Sequence, residues 1–295
     1  VLRPRRGAAE PLLEGVCLKY LGWLAFAGVA LSAFSGALGG SSQRADEPDK
    51  PHAKARLIAE HTTLAPGQTA YLGFTFDIDP GWHLYWDGAG DTGMPVHVEM
   101  TLPPGFRAGD LLWPAPKRHI SPGDLLDYIY EERVTLLLPV AVPENAAPGE
   151  PITISASLDW LECKDYCLPG SARVEITLPI ADAPPEKSPD AKRFDEARRR
   201  LPRPLPETGS PVQLTWDGTR LNVRAPGASS LAFYPKSASM PMVRPIQEGA
   251  ADADSLSIEF EPRGETDRAV GVLEVARPKG PPEIYAIDSP APHPR

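Results

Sequence analysis

From Ala55 onward, apolar and polar positions alternate with the two-residue period of strands, and turn formers interrupt the alternation at regular intervals. After a short apolar-containing run at 56–61, Ala70 to Ile78 (AYLGFTFDI) carries aromatics at Tyr71, Phe74 and Phe76. Val96 to Leu102 reads VHVEMTL, Arg133 to Val142 reads RVTLLLPVAV, Ile152 to Leu161 reads ITISASLDWL, and Ala172 to Ile180 reads ARVEITLPI. Turns at Asp79-Pro80-Gly81 and Pro103-Pro104-Gly105 separate them. The spacing predicts an all-β sandwich over residues 55–182. Residues 183–210 break the pattern: Pro184-Pro185 opens a linker, and Asp190 to Leu201 (DAKRFDEARRRL) predicts a short charged helix that Pro202 stops. A second, smaller β-rich domain is expected at 211–288, with a hairpin at Asp217-Gly218 between VQLTW and RLNVRA, then LAFYP, SLSIEF and VGVLEVA. Residues 289–295 are left as a tail.

Composition supports the all-β reading. The 36 prolines and 25 glycines are too many for a helical protein, because proline is excluded from helix interiors and central strands. Before the first strand the chain reads differently. Arg3, Arg5, Arg6 and Lys19 precede an apolar run from Tyr20 to Phe34, and Ser35-Gly36-Ala37 offers a small-residue cleavage site. The expectation is a cleavable signal peptide at 1–37 and export to the periplasm. The alternative is an uncleaved membrane anchor, for which a run of about 15 residues is short against the roughly 20 of a spanning helix. Residues 38–54, polar and rich in Pro and Gly, are expected to be a linker. The leader holds four basic and two acidic side chains, so its removal takes the formal charge from −9 to −11. An acidic surface with no basic, aromatic-laced strip excludes nucleic acid as a partner.

Of three cysteines, Cys17 lies in the leader, which leaves Cys163 and Cys167 four residues apart in an oxidising compartment. Such a pair is either a disulfide or a metal site. On an extended strand four residues span about 13 Å, and a disulfide accepts a Cα separation of only about 4.4–6.8 Å. The chain must therefore turn at Lys164-Asp165-Tyr166. The preceding strand is expected to end near Leu161, Pro169-Gly170 to bend the chain again, and the next strand to start at Ala172. A ring this small gains little loop entropy, and short, strained disulfides are the easily reduced ones. The pair thus points to redox exchange rather than to a structural staple. Lys164 favours a thiolate, while Glu162 and Asp165 oppose it. Two thiolates at this spacing also suit a soft cation such as Cu(I), so a metal site on Cys163 and Cys167 stays open. The histidines show no paired spacing, and His83, in the aromatic run Trp82-His83-Leu84-Tyr85-Trp86, is the one placed to approach the cysteines. No cofactor is expected.

The stretches PGWHLYWDGAGDTGMP (80–95), LLWPAPKR (111–118), DYIYEERVTLLLPV (127–140) and DWLECKDYCLPG (159–170) resemble the N-terminal periplasmic domain of DsbD-type thiol:disulfide interchange proteins, with the ScsB-like branch the nearer. The resemblance runs from about Arg56 to Ile180, and LAFYP, VGVLEV and EIYAID resemble the segment that follows in that branch. It implies an immunoglobulin-like sandwich in which Cys163 and Cys167 are the redox pair, Cys167 forming the mixed disulfide and Cys163 resolving it. It further implies a cap loop near Pro122 to Tyr128, with Leu125, Leu126 or Tyr128 shielding the pair and Tyr85 alongside. The implied partners are a thioredoxin-like domain or separate membrane thiol reductase and periplasmic disulfide-bonded proteins. The interval between the cysteines is shorter than in the better-known DsbD domains. The chain stops after the second β region, so the expectation is that its electrons come from a separate protein.

Overall fold

A computed structural model describes residues 50–88, 90–264 and 267–292. The expected signal peptide, Cys17, most of the first linker and His293 lie outside the described residues.

The first β region contains β1 (Ala53–Ala59), β2 (Thr69–Ile78), β3 (His83–Tyr85), β4 (His97–Thr101), β5 (Arg107–Ala108), β6 (Lys117–Ser121), β7 (Leu125–Glu131), β8 (Arg133–Ala141), β9 (Pro151–Cys163) and β10 (Cys167–Pro179). One sheet runs β1-β2-β8-β5 and the other β10-β9-β3-β7-β6, with β4 also paired to β9. The alternation in the sequence becomes the two faces of these sheets. On β2, Leu72, Phe74 and Phe76 point inward and are fully buried. They meet Leu84, Tyr130, Ile154, Leu158 and Trp160 from the opposing sheet. The result is the immunoglobulin-like sandwich, with its apolar core between the two sheets.

The helix forms where its charged sequence placed it, as α1 (Ala191–Arg199). Its buried side chains, Ala191, Phe194 and Ala197, fall on one face, and Phe194 and Ala197 pack on Ile58 and Leu137, on the outer side of the first sheet. Arg198 pairs with the Glu60 carboxylate, and Ser188 Oγ donates to the Ala59 carbonyl at 2.5 Å. The segment expected to be a linker is therefore held against the sandwich.

The second β region comprises β11 (Arg203–Pro204), β12 (Gln213–Asp217), β13 (Arg220–Arg224), β14 (Ser230–Pro235), α2 (Pro245–Glu248), β15 (Ala250–Ala251), β16 (Ser255–Glu259), β17 (Arg268–Ala276) and β18 (Glu283–Pro290). Its sheets run β11-β18-β17-β14-β15 and β12-β13-β16. The Asp217-Gly218 hairpin joins β12 to β13 as read from the sequence. Between the sheets lies a core of its own, with Leu221, Phe233, Ile258, Phe260 and Leu273. Tyr234, Val272 and Ile284 leave that core and join the core of the first sandwich, so the two β regions form one compact unit. No helix among the described residues is long and apolar enough to cross a membrane.

Candidate redox site

Cys163 is the last residue of β9 and Cys167 the first of β10, and the two are direct partners in the antiparallel ladder. They are joined by a disulfide with Cα atoms 4.1 Å apart. Lys164, Asp165 and Tyr166 make the turn that the spacing requires, and the Lys164 N–H donates to the Tyr166 carbonyl at 3.1 Å. The strands run further than expected. They do not stop at Leu161 and resume at Ala172; the ladder continues to the cysteines, with Pro169 opposite Leu161 and Gly170 opposite Trp160. Pro169 is tolerated there because β10 is a sheet edge, where a missing N–H costs no ladder bond. Gly170 is required for a different reason. A Cβ at that position would lie 2.2 Å from Trp160 Nε1, so the indole occupies the space a side chain would need.

Alternation decides what surrounds the sulfurs. On β9, Leu158 and Trp160 face the sandwich core, whereas Leu161 and Cys163 face outward. On β3, Leu84 faces the core while Tyr85 joins Cys163. On β7, Leu126, Tyr128 and Tyr130 face the core and Ile129 faces the cysteine side. The disulfide thus sits on the outer face of the second sheet, in a small cluster with Tyr85, Ile129 and Leu161. Cys163 is buried at 2% exposure, and Cys167 is exposed.

Among the residues implied as shields, the structure brings Tyr85 to the pair. Its hydroxyl is 3.8 Å from Cys167 Sγ and 3.3 Å from His83 Nε2. Leu126 and Tyr128 are corrected: both point into the core, on the opposite face of the sheet from the sulfurs, and Tyr128 packs edge-on to Trp86 and Tyr234. Leu125 is exposed at the start of β7 and is not in the cysteine cluster.

The loop that covers Tyr85 is the one that follows β3. Asp91 exchanges backbone and side-chain hydrogen bonds with Leu126, at 3.0 and 2.7 Å. Asp127, buried on the outer face of β7, accepts from Thr92 N at 2.8 Å and Thr92 Oγ1 at 2.5 Å. These clips lay Gly93 on the Tyr85 ring, where φ is +77° and a Cβ would come within 2.2 Å of the ring. Only glycine meets both conditions. Burial pushes the Tyr85 phenol above its ordinary pKa, against hydrogen bonding to Thr92, and the Asp127 charge acts in the same direction as burial. Burial likewise pushes the His83 imidazole down, reinforced by His119, whose ring lies 5.0 Å away. Sequence reading missed this loop, His119 and Asp127. The Gly-rich run GAGDTG was the available signal, since repeated glycine marks close backbone approach.

Glu162 also differs from expectation. It follows the core-facing parity of Trp160, is 1% exposed, and accepts from His52 N at 2.7 Å, Ala53 N at 2.9 Å and Trp160 Nε1 at 3.0 Å. Its charge is thus engaged behind the sheet, on the start of β1. Beside it His52 stacks on Trp82 at 3.8 Å, and Tyr166 from the cysteine turn meets the same indole edge-on at 5.4 Å. Among the described residues no three His, Cys, Asp or Glu side chains gather as a metal site. A cleft of about 610 Å³ between Tyr130, α1 and Tyr234 includes neither cysteine, and its four arginines are engaged within the protein, Arg118 with the Pro245 and Ile246 carbonyls, Arg200 with Glu274, and Arg133 and Arg193 with Asp77.

Residues 54–179 match the family model described as "Thiol:disulfide interchange protein DsbD, N-terminal". The crystal structure of the N-terminal periplasmic domain of ScsB from Proteus mirabilis superposes with a TM-score of 0.54 at 15% identity, covering 83% of this chain and 96% of that one. The fold of both β regions is therefore shared with that domain. The E. coli chaperone DraB aligns at a TM-score of 0.24 and 11% identity over 79% of this chain and 98% of its own. No curated protein matches the chain in sequence.

Proposed function

We propose, from the premise that residues 54–179 of this chain belong to the family of DsbD N-terminal domains, that the protein is a periplasmic thiol–disulfide carrier. It would take electrons from a thioredoxin-like or membrane-bound reductant and deliver them to disulfide-bonded proteins of the same compartment. The observation that carries this reading is the asymmetry of the pair, with Cys167 exposed at the hairpin tip and Cys163 buried behind it. Exchange proceeds by attack of a thiolate on a partner sulfur through a mixed disulfide. The accessible Cys167 is the sulfur that a partner can reach, and Cys163, held in the same ladder position, is placed to resolve the mixed disulfide. The Tyr85 hydroxyl lies beside Cys167, and the loop on its ring holds it there.

The reading is tested by equilibrating the oxidised protein with thioredoxin and by trapping with Cys163→Ser. Reduction at a potential above about −300 mV, the level below which structural disulfides resist cellular thiols, is the expected result. Mixed disulfides should accumulate on Cys163→Ser and be absent from Cys163→Ser/Cys167→Ser. A pair that thioredoxin leaves oxidised would remove the proposal.

A further inference from the structure

The aromatic hydroxyl beside Cys167 is also the neighbour of an imidazole. Tyr85 Oη is 3.8 Å from Cys167 Sγ and 3.3 Å from His83 Nε2, on the outer face of the second sheet. A phenol has one proton to donate and lone pairs to accept with. In the oxidised pair the sulfur carries no proton, so in this contact the Tyr85 O–H is the donor, and the Tyr85 oxygen can accept from a His83 Nε2–H. In the reduced pair the order reverses: the Cys167 S–H donates to the Tyr85 oxygen, and the Tyr85 O–H donates to His83 Nε2.

We propose that His83, acting through the Tyr85 hydroxyl, takes up the Cys167 thiol proton when the reduced pair attacks a partner disulfide and passes it on to a partner thiolate that the exchange expels. This deepens the exchange reading and rests on it. The step balances as follows. The thiol proton moves to the Tyr85 oxygen as the Tyr85 proton moves to His83 Nε2, leaving a Cys167 thiolate and a His83 imidazolium. The thiolate electron pair forms a bond to one sulfur of the partner disulfide, and that S–S bond breaks to release the other partner sulfur as a thiolate. Cys163 then attacks Cys167 Sγ and expels the second partner sulfur. The two partner thiolates take up two protons, one from Cys163 and one from His83. The protein dithiol is oxidised and the partner disulfide reduced.

Burial, reinforced by His119, keeps His83 neutral at rest, so that its Nε2 can accept a proton through Tyr85. Asp127 and Glu131 reach it from β7, and both negative charges favour the imidazolium. His119 from β6 opposes it, and Lys117 engages Glu131 at 3.0 Å. The disulfide hairpin contributes no charge from its sulfurs until a thiolate forms, and that charge then lies one hydroxyl away from the ring. His83 is 6% exposed, so its proton exchanges through Tyr85 rather than with bulk water alone. A thiolate held near an imidazolium forms below the free thiol range.

The test uses full-length Cys163→Ser protein, alone and combined with Tyr85→Phe or His83→Gln. The iodoacetamide alkylation rate at Cys167 is followed from pH 5 to 10 by peptide mass, which separates Cys167 from Cys17. Alkylation tracks the thiolate fraction. At pH 7 each added substitution should slow it on the order of tenfold, and the rates should converge near pH 10, where the thiolate forms unaided. Tyr85→Phe keeps the ring and removes only the oxygen, which protects the result against misfolding. Curves that superimpose on the parent, or that fall by one factor at every pH, overturn the relay. Thioredoxin reduction of the unsubstituted protein is measured alongside, and its success with a failed relay separates the two readings.

Discussion

Cys163 and Cys167 face each other across the last rung of the β9–β10 ladder, yet one is buried and the other open to solvent. The difference follows from their neighbours in the sheet. β9 is flanked by β3, which places His83 directly opposite Cys163, whereas β10 is the edge strand of its sheet among the described residues. After reduction, a brief pulse of iodoacetamide should therefore modify Cys167 about tenfold faster than Cys163 or more, since thiol reactivity follows exposure and thiolate character. Peptide mass spectrometry reads the ratio. Equal labelling would mean that reduction opens the hairpin and that the asymmetry belongs to the oxidised form alone.

Glu162 anchors the site from behind. A buried carboxylate that accepts three N–H groups, two of them from the start of β1, ties that strand to the cysteine hairpin. Glu162→Ala removes the acceptor and strands three donors, two of them buried and the His52 N–H half-buried. The expected loss is about 3–5 kcal/mol in urea unfolding, taking about 1–3 kcal/mol for each hydrogen bond left unmade to a charged group and allowing for partial rescue by water. Glu162→Gln keeps one acceptor oxygen and should lose clearly less. Similar losses for both would show that the charge, rather than the hydrogen-bond count, holds the strand.

Much of this was legible in the sequence because period-2 patterns report faces directly. The alternation in AYLGFTFDI predicted a strand, of whose aromatics Phe74 and Phe76 face the core while Tyr71 takes the other face, and the C-x3-C spacing required the turn at Lys164-Asp165-Tyr166. What escaped was the relation between faces of different strands. Glu162 is next to Cys163 in sequence but on the other side of the sheet, so its charge does not act on the sulfur as a sequence neighbour would suggest. Tyr128 and Leu126 failed as shields by the same rule. They share a parity with Tyr130, whereas Ile129 shares the parity of Cys163. Fixing which parity faces the disulfide requires the pairing of Tyr85 with Ile129 and of His83 with Cys163. Those are long-range registers that no local pattern contains. The loop at 90–93 depends on the same registers, because its clips are to Leu126 and Asp127.

The second β region is bound to the first through Tyr234. Its ring meets Trp86 and Tyr128 edge-on, and its hydroxyl donates to Glu274 at 3.1 Å. Lys236, two residues on, pairs with Asp87 at 2.7 Å and lies 4.6 Å from the Trp86 ring centroid. Trp86 and Asp87 lead into the loop that covers Tyr85, so the second region braces the shield from the side. The shared core predicts one cooperative thermal transition for both regions. Tyr234→Ala should cost about 3–5 kcal/mol, the range for truncating a large buried aromatic, and should split the transition in calorimetry. A single transition that merely shifts would place the coupling elsewhere in the interface.

α1 is fixed by a charge pair whose pH dependence can be worked out. Arg198 donates to both oxygens of Glu60, and this hydrogen bonding, against the opposing cost of burial, holds the Glu60 carboxyl below its ordinary value. A carboxylate whose pKa is depressed in the folded state contributes stability above its unfolded pKa, and that contribution is lost as pH falls through the folded value. At pH 7 the pair is expected to contribute about 2 kcal/mol, in the range for hydrogen bonds to charged groups, with Glu60 buried and Arg198 partly exposed. Arg198→Ala should therefore be destabilised relative to the parent at pH 7. The gap should narrow progressively below about pH 4.5, where the unfolded carboxyl begins to protonate. Urea unfolding at pH 3, 5 and 7 measures it. A gap that stays constant across this range would assign the Arg198 contribution to packing of its stem over Tyr71, where the guanidinium lies 4.8 Å from the ring centroid, rather than to the Glu60 charge.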